Sequence, residues 1–413
     1  MKNITAYRKV WTFYKWVLFL LFLQSLLAWF FWDIGPNQFI IPILFIFISV
    51  GIFVIYPQMF SFKRETTIII ILLYLLTRFL GTRGNVNAYL GMIITSAGVL
   101  FFAGLKDRLK IDFLDFFTKA FAILMAVSLF AWFIFLLGVE LPSFPDSYGY
   151  SEIRDEAGAL FQNYYFFILN VTFPSDLILP RFSSVFGEPG YLGILLVLIL
   201  FLNNFNLKNK YNIVLLVALF STFSLAGWLL GTFAYVSYLM KNSKKRITSI
   251  ILIFIGGWAF YAFYSNYNNG NNMVNEAIFD RLQYDETRGN ISGYNRTSQD
   301  FDWWFAHNFI RSSDILFGID MYQVFGETAN VGWKAYITNY GLIGLAAYLL
   351  FLYYIFHKNK NYLTLIFLLL YILTFARGHH VIFMFAFPAT YLCGSVSLKA
   401  NQTIKYRTIA TYS

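Results

Sequence analysis

Charge and cysteine are what this sequence has least of. Only 13% of its 413 residues are Asp, Glu, Lys or Arg, against about 25% in a soluble chain. That is too little polar surface to cover a globular core, so lipid is expected to solvate much of the chain. The single cysteine, Cys393, lies in an apolar run, which excludes an intrachain disulfide and a cysteine-built metal site. No glycine-rich phosphate loop is present, so ATP-driven transport would need another subunit. Internal repeats and repeated carbonyl-rich or acidic filter segments are also missing, which argues against a channel or a repeat-built transporter. Ionisable residues are scarce inside the apolar runs, Lys119 being the main one, and a proton relay across a membrane has little to work with. No clustered ligand set argues for a metal, and no cofactor is expected.

Apolar and aromatic residues are abundant instead, at 58% and 21%. Continuous apolar stretches run at about 13–31, 38–57, 66–80, 88–104, 114–139, 190–204, 247–263, 334–356, 361–376 and 380–397. Most approach the roughly 20 residues that a helix needs to cross a bilayer. The stretch 211–240 is longer than one crossing and is interrupted by the polar, small-residue run Ser221–Gly227. It is expected to form two short helices meeting near Ser224. The first stretch is long and no small-residue cleavage site follows it, so it is expected to be retained and not to be a signal peptide.

The formal charge of +10 resembles a nucleic-acid signature only until the charges are located. They cluster in alternate connections: Lys63 and Arg64; Lys106, Arg108 and Lys110; Lys208 and Lys210; Lys241, Lys244, Lys245 and Arg246; Lys358 and Lys360. Both ends are basic as well, with Lys2, Arg8 and Lys9 at one and Lys399, Lys405 and Arg407 at the other. This alternation assigns the basic charges to topology, with no nucleic-acid partner. The expected fold is therefore all-α, a polytopic integral membrane protein of about 12 transmembrane helices with both termini cytoplasmic. Its regions are a five-span bundle at 1–139, a first large external loop at 140–189, central helices at 190–263, a second large external loop at 264–333 and C-terminal helices with a short tail at 334–413. A ten-span arrangement with a re-entrant element stays open. The apolar piece Leu160–Val171 is expected to be an interfacial helix.

Loops of such length are often functional, so the candidate chemistry is sought on the external side. Arg181 begins RFSSVFGEPGYLG, in which Glu188 and Pro189 precede a helix. Glu188 has three open readings: a cap favoured by the helix dipole, a partner orienting Arg181, or a base. Arg181 has two, an anion ligand or a headgroup anchor. The second loop carries Arg288, Arg296, His307 and Arg311 with Tyr294, Trp303 and Trp304. Guanidinium groups pair bidentately with phosphate and aromatic faces stack on sugar rings. A solvated loop surface is the plain alternative for all of them. Trp333, at the start of the next apolar stretch, can be read as an interface anchor. Arg83, Arg377, His379 and His380 are secondary candidates at the expected external border.

The arrangement resembles the O-antigen polymerase and O-antigen ligase superfamily of bacterial membrane glycosyltransferases, particularly the polymerases of capsular and exopolysaccharide pathways. RFSSVFGEPGYLG at 181–193 is similar to an Arg-Phe and Phe-x-Glu-Pro segment that enters a span. STFSLAGW at 221–228 is similar to a Ser-Arg segment at a helix junction, with Leu225 in place of the arginine. SGYNR at 292–296 and ILFGID at 315–320 resemble elements of the large external loop, Asp320 replacing a glycine. Gly341 and Gly344 match a glycine pair at the entrance to the next helix, while the expected histidine near Ala329 and Asn330 is missing. The resemblance implies a multi-pass protein of the bacterial cytoplasmic membrane acting on undecaprenyl-pyrophosphate-linked oligosaccharide, with membrane lipids around it and a flippase and chain-length regulator as partners. It implies polymerisation of lipid-linked repeat units, with a ligase as the competing enzyme reading; a transporter of lipid-linked glycan is the alternative from a different class. On that reading Arg181 and Arg296, with Arg288 and Arg311 in reserve, bind the diphosphate. Glu188 or His307 positions the acceptor or moves its proton, and Tyr294, Trp303, Trp304 and Trp333 touch the glycan.

Overall fold

The computed structural model describes residues 2–26, 28–31, 40–61, 101, 104–146, 161–170, 180–242, 246–272, 274–286, 290–291, 297–319, 324, 332–356 and 362–377. These residues are predominantly helical. The α-helices are α1 (Lys2–Ser25), α2 (Ile40–Ile55), α3 (Asp107–Leu136), α4 (Pro189–Leu202), α5 (Lys210–Ser221), α6 (Leu225–Asn242), α7 (Arg246–Asn266), α8 (Gln299–Trp304), α9 (Asp314–Phe317), α10 (Trp333–Phe356) and α11 (Tyr362–Arg377). Nine of the twelve expected spans fall on helices, including the pair α5 and α6; the stretches 66–80 and 380–397, and nearly all of 88–104, lie outside the described residues. By length and composition one described helix, α3, suffices to cross a membrane, while Ile43–Ile55, Pro189–Leu202, Lys210–Ser221, Leu225–Met240 and Tyr362–Leu373 are shorter apolar helices.

The chain divides into two compact units, one of Met1–Leu26, Pro36–Phe117 and Arg296–Ser413, the other of Leu27–Gly35 and Thr118–Asn295. In the first, Tyr14 of α1 meets α2 through a hydrogen bond with the Ser49 hydroxyl (2.8 Å) and a stacked contact with Phe45 (6.1 Å). Phe22 packs on Phe117 (4.2 Å), and Lys15 pairs with Asp112 (3.1 Å). Further along, α10 breaks at Gly341, whose φ of +67° an L side chain rarely adopts. A Cβ there would collide with the Leu316 carbonyl, and one on Gly318 (φ +73°) would lie 2.6 Å from the Asn339 carbonyl. Two backbones thus cross in direct contact, joined by the Ile319 amide donating to the Thr338 carbonyl (2.6 Å).

In the second unit α4 is apolar all round and buried along nearly its whole length, as a helix without a polar face must be. It crosses α6 at Gly193 and Gly227, where a Cβ on Gly227 would stand 3.2 Å from the Gly193 Cα. The Asn203 amide closes α4, donating to the Ile199 carbonyl (2.9 Å) and the Thr118 hydroxyl (3.0 Å). Helices α5 and α6 meet as the polar run implies. Phe223 takes φ +43°, and the Ser224 hydroxyl accepts from the Gly227 amide (3.1 Å) to start α6.

The interfacial helix expected over Leu160–Val171 is corrected. Strands β2 (Phe161–Asn163) and β3 (Ile168–Asn170) form an antiparallel hairpin, with β1 (Phe144–Asp146) beside β2. The physical cause is an Asx turn: the Asn163 side-chain carbonyl accepts from the Tyr165 amide (2.8 Å), and Tyr165 takes φ +65°. A two-stranded pair, β4 (Tyr284–Asp285) and β5 (Asn290–Ile291), lies later in the chain. The hairpin and the segment 182–186 follow α3 closely. Phe135 meets Tyr164 and Phe167, Trp132 meets Phe182, and Phe121 meets Phe186. Between them Ser128 donates to the Phe166 carbonyl (2.7 Å) and accepts from Ser184 (2.8 Å). Non-helical chain therefore accompanies about 21 Å of α3, at 1.5 Å per residue.

Candidate functional site

The candidates fall into one group in each unit. In the second unit Arg181 has a structural partner: its Nε donates to the Thr222 carbonyl (3.0 Å), while the neighbouring Phe182 amide donates to the Ser221 carbonyl (3.0 Å). A cation at these last carbonyls of α5 satisfies unpaired acceptors and complements the helix dipole. Glu188 is the residue before α4, with Pro189 at the first helical position. Its main-chain carbonyl accepts from the Tyr191 and Leu192 amides (3.2 Å each), but its carboxylate makes no capping hydrogen bond.

In the first unit the group is carried by α8 and the π-turn Phe305–Phe309 that continues it. Ser298 starts the helix, its hydroxyl accepting from the Phe301 amide (3.2 Å). Phe301, Phe305 and Phe309, spaced four apart, bury one face against Ile337. That spacing decides what happens to the tryptophans. Trp304 turns inward onto this cluster, and Trp333 sets its edge on Phe305 (5.8 Å). Trp303 faces outward and is 61% exposed. One turn further the His307 ring stacks on the Trp303 indole, with centroids 4.8 Å apart and planes inclined by 20°.

His307 Nδ1 lies 2.8 Å from the Trp303 carbonyl. A carbonyl only accepts, so Nδ1 carries the proton and Nε2 of the neutral ring keeps the lone pair. The Lys334 ammonium pairs with Asp302 (2.6 Å) and lies 5.9 Å from the ring centroids of both Phe305 and Trp333. The Thr297 hydroxyl also donates to Asp302 (2.8 Å). The turn is thereby fastened to the first turn of α10.

Arg311 is exposed just after the π-turn. Arg83, Arg288, Tyr294, Arg296, His379 and His380 lie outside the described residues, as do Asp320, Ala329 and Asn330; Arg377 ends α11, where the backbone alone is described. Sequence reasoning missed Asp302 and Lys334, 32 positions apart, for which no local pattern exists. Among the described residues no three His, Cys, Asp or Glu side chains gather as metal ligands. Comparison with family models, with curated proteins and with solved structures finds no match to this chain.

Proposed function

We propose that the chain is a multi-pass protein of about 12 spans in the bacterial cytoplasmic membrane. On this reading it lengthens a glycan carried on undecaprenyl pyrophosphate, working on the outer face. The apolar composition and the alternation of basic connections support the membrane assignment. So does the exposure of large apolar side chains on helices, among them Phe47, Phe130 and Phe254. The resemblance in the 181–193 and 315–344 segments supports the polymerase reading.

The observation that carries an active site is the Trp303 and His307 pair, an aromatic face and a lone-pair nitrogen presented from a polar helix in an otherwise apolar chain. The reaction needs little covalent help, because pyrophosphate is already a good leaving group. An acceptor hydroxyl attacks the anomeric carbon of the donor, and the bond to the diphosphate breaks with its electron pair. The hydroxyl proton passes to His307 Nε2. Arg296, with Arg311 in reserve, stabilises the departing diphosphate.

Reconstitution of the purified protein in liposomes with its lipid-linked repeat unit tests this. A ladder of longer lipid-linked glycans, lost in folded Arg296→Ala and His307→Ala variants, is the expected result. Movement of the unit across the bilayer without lengthening would replace the reading with transport, and delivery of finished glycan to a separate acceptor would replace it with ligation.

A further inference from the structure

We infer that Trp303 is a stacking subsite for one neutral pyranose ring and that His307 is the residue that holds it in position. This deepens the glycan reading and rests on it. One face of the indole is covered by the His307 imidazole, and with 61% of the residue exposed the other stands open. The hydrogen bond from His307 Nδ1 to the Trp303 carbonyl fixes the imidazole (2.8 Å), and the imidazole in turn fixes the indole. An exposed tryptophan ordinarily loses rotamer freedom when a ligand binds; this one is held beforehand, which removes part of that cost.

Side chains on a helix lean toward its N-terminus, so the open face of Trp303 looks over the turn that carries Asp300, exposed three residues earlier. A sugar with its C–H face on the indole would offer hydroxyl donors to that carboxylate. Asp302 is neutralised by Lys334, but Asp300, also in the first turn of α8, keeps its negative charge, which selects a neutral ring over a uronate. Trp304 and Trp333 are committed to Phe309 and Phe305 and do not take this role.

The test is saturation-transfer NMR on the full chain in detergent micelles. The ligands are methyl pyranosides of gluco, galacto, manno and N-acetylgluco configuration, with methyl glucuronoside as the anionic comparison and circular dichroism to check folding. Saturation is expected on the ring protons of at least one neutral pyranoside. Trp303→Ala should weaken it roughly tenfold or more, and Asp300→Asn roughly threefold. His307→Ala should weaken it roughly threefold through loosening of the indole, whereas His307→Phe, which restores a stacking ring, should stay within roughly twofold of wild type. Equal transfer in folded Trp303→Ala, no transfer from any neutral pyranoside, stronger transfer to the glucuronoside, or no rescue by phenylalanine would each overturn the inference. The polymerase reading fails separately: wild type that binds the sugar but never lengthens the lipid-linked unit keeps the subsite and loses the reaction. Elongation without binding at Trp303 keeps the reaction and loses the subsite.

Discussion

Two tryptophans are almost equally exposed, Trp258 at 71% and Trp303 at 61%, yet their neighbours have nothing in common. Trp258 sits on α7 among exposed Phe254, Ile255, Tyr261 and Phe263, beside Gly256 and Gly257, where an added Cβ would meet nothing within 4 Å among the described residues. The edge of α7 that bears Phe260 and Tyr264 is covered by Trp228 and the turn carrying Val274 and Ile278. Trp303 follows exposed Asp300 and stacks on His307, and its chain neighbour Asp302 is ion-paired with Lys334. Exposure alone therefore does not say what an aromatic side chain meets. An apolar neighbourhood fits acyl chains, whereas a polar one fits an aqueous ligand that has both a hydrophobic face and hydroxyls.

The sharpest way to break this comparison is catalytic. His307→Ala is expected to slow elongation about a hundredfold, while Trp258→Ala leaves it near wild type; product ladders at fixed protein amount measure both. Loss of activity in the Trp258 variant would erase the distinction. His307→Phe should bind sugar and still fail to elongate, separating the positioning role of the ring from the proton-accepting role of Nε2.

The next effect is on stability and contrasts glycines in the same two regions. Gly341→Ala should destabilise the detergent-solubilised protein by more than ~2 kcal/mol, because the backbone is left-handed and a Cβ meets the Leu316 carbonyl. Gly256→Ala, with open space around it, should be neutral or slightly stabilising on helix propensity. Thermal unfolding of the two variants decides it. Smaller again is a difference in environment: brominated lipids should quench a chain whose sole exposed tryptophan is Trp258, whereas aqueous iodide should quench one that keeps Trp303. Reversal of the two quenchers would exchange the assignments.

The smallest effect concerns the fastening of α8. Asp302→Asn removes the charge partner of Lys334, and because both side chains are partly solvated the cost should be about 1 kcal/mol. Chemical denaturation measures it, and an unchanged midpoint would mean that the phenylalanine spine alone secures the platform.

Much of the helical framework was legible because long apolar runs leave few alternatives, and the break near Ser224 was legible because hydroxyl side chains compete for backbone partners there. The hairpin was not. Residues 160–171 are apolar whichever way they fold, and what decides is the turn at Asn163 together with hydroxyls on Ser128 and Ser183, the latter donating to the Ile168 carbonyl (2.7 Å) from 15 positions away. The partner of Arg181 was hidden for the same reason, since Thr222 is 41 residues distant. At the candidate site the i, i+4 phenylalanines did carry the information that Trp304 faces in and Trp303 faces out. The glycine at 341 stood out in the sequence, but not that 316–318 would press against it.

The non-helical chain lying along α3 has a consequence for how the protein is made. On the membrane reading, backbone amides and carbonyls cannot enter hydrocarbon until partners await them, and here those partners are spread over α3, 181–186 and α5. The Ile168 amide needs the Ser184 carbonyl, the Phe166 carbonyl needs Ser128, and the Phe182 amide needs Ser221. Segment-by-segment insertion can deliver α3 by itself, but the hairpin must wait until translation has passed α5. The outer half of α3 would then remain uncovered through an interval of biogenesis, the stage at which a membrane chaperone would have something to hold.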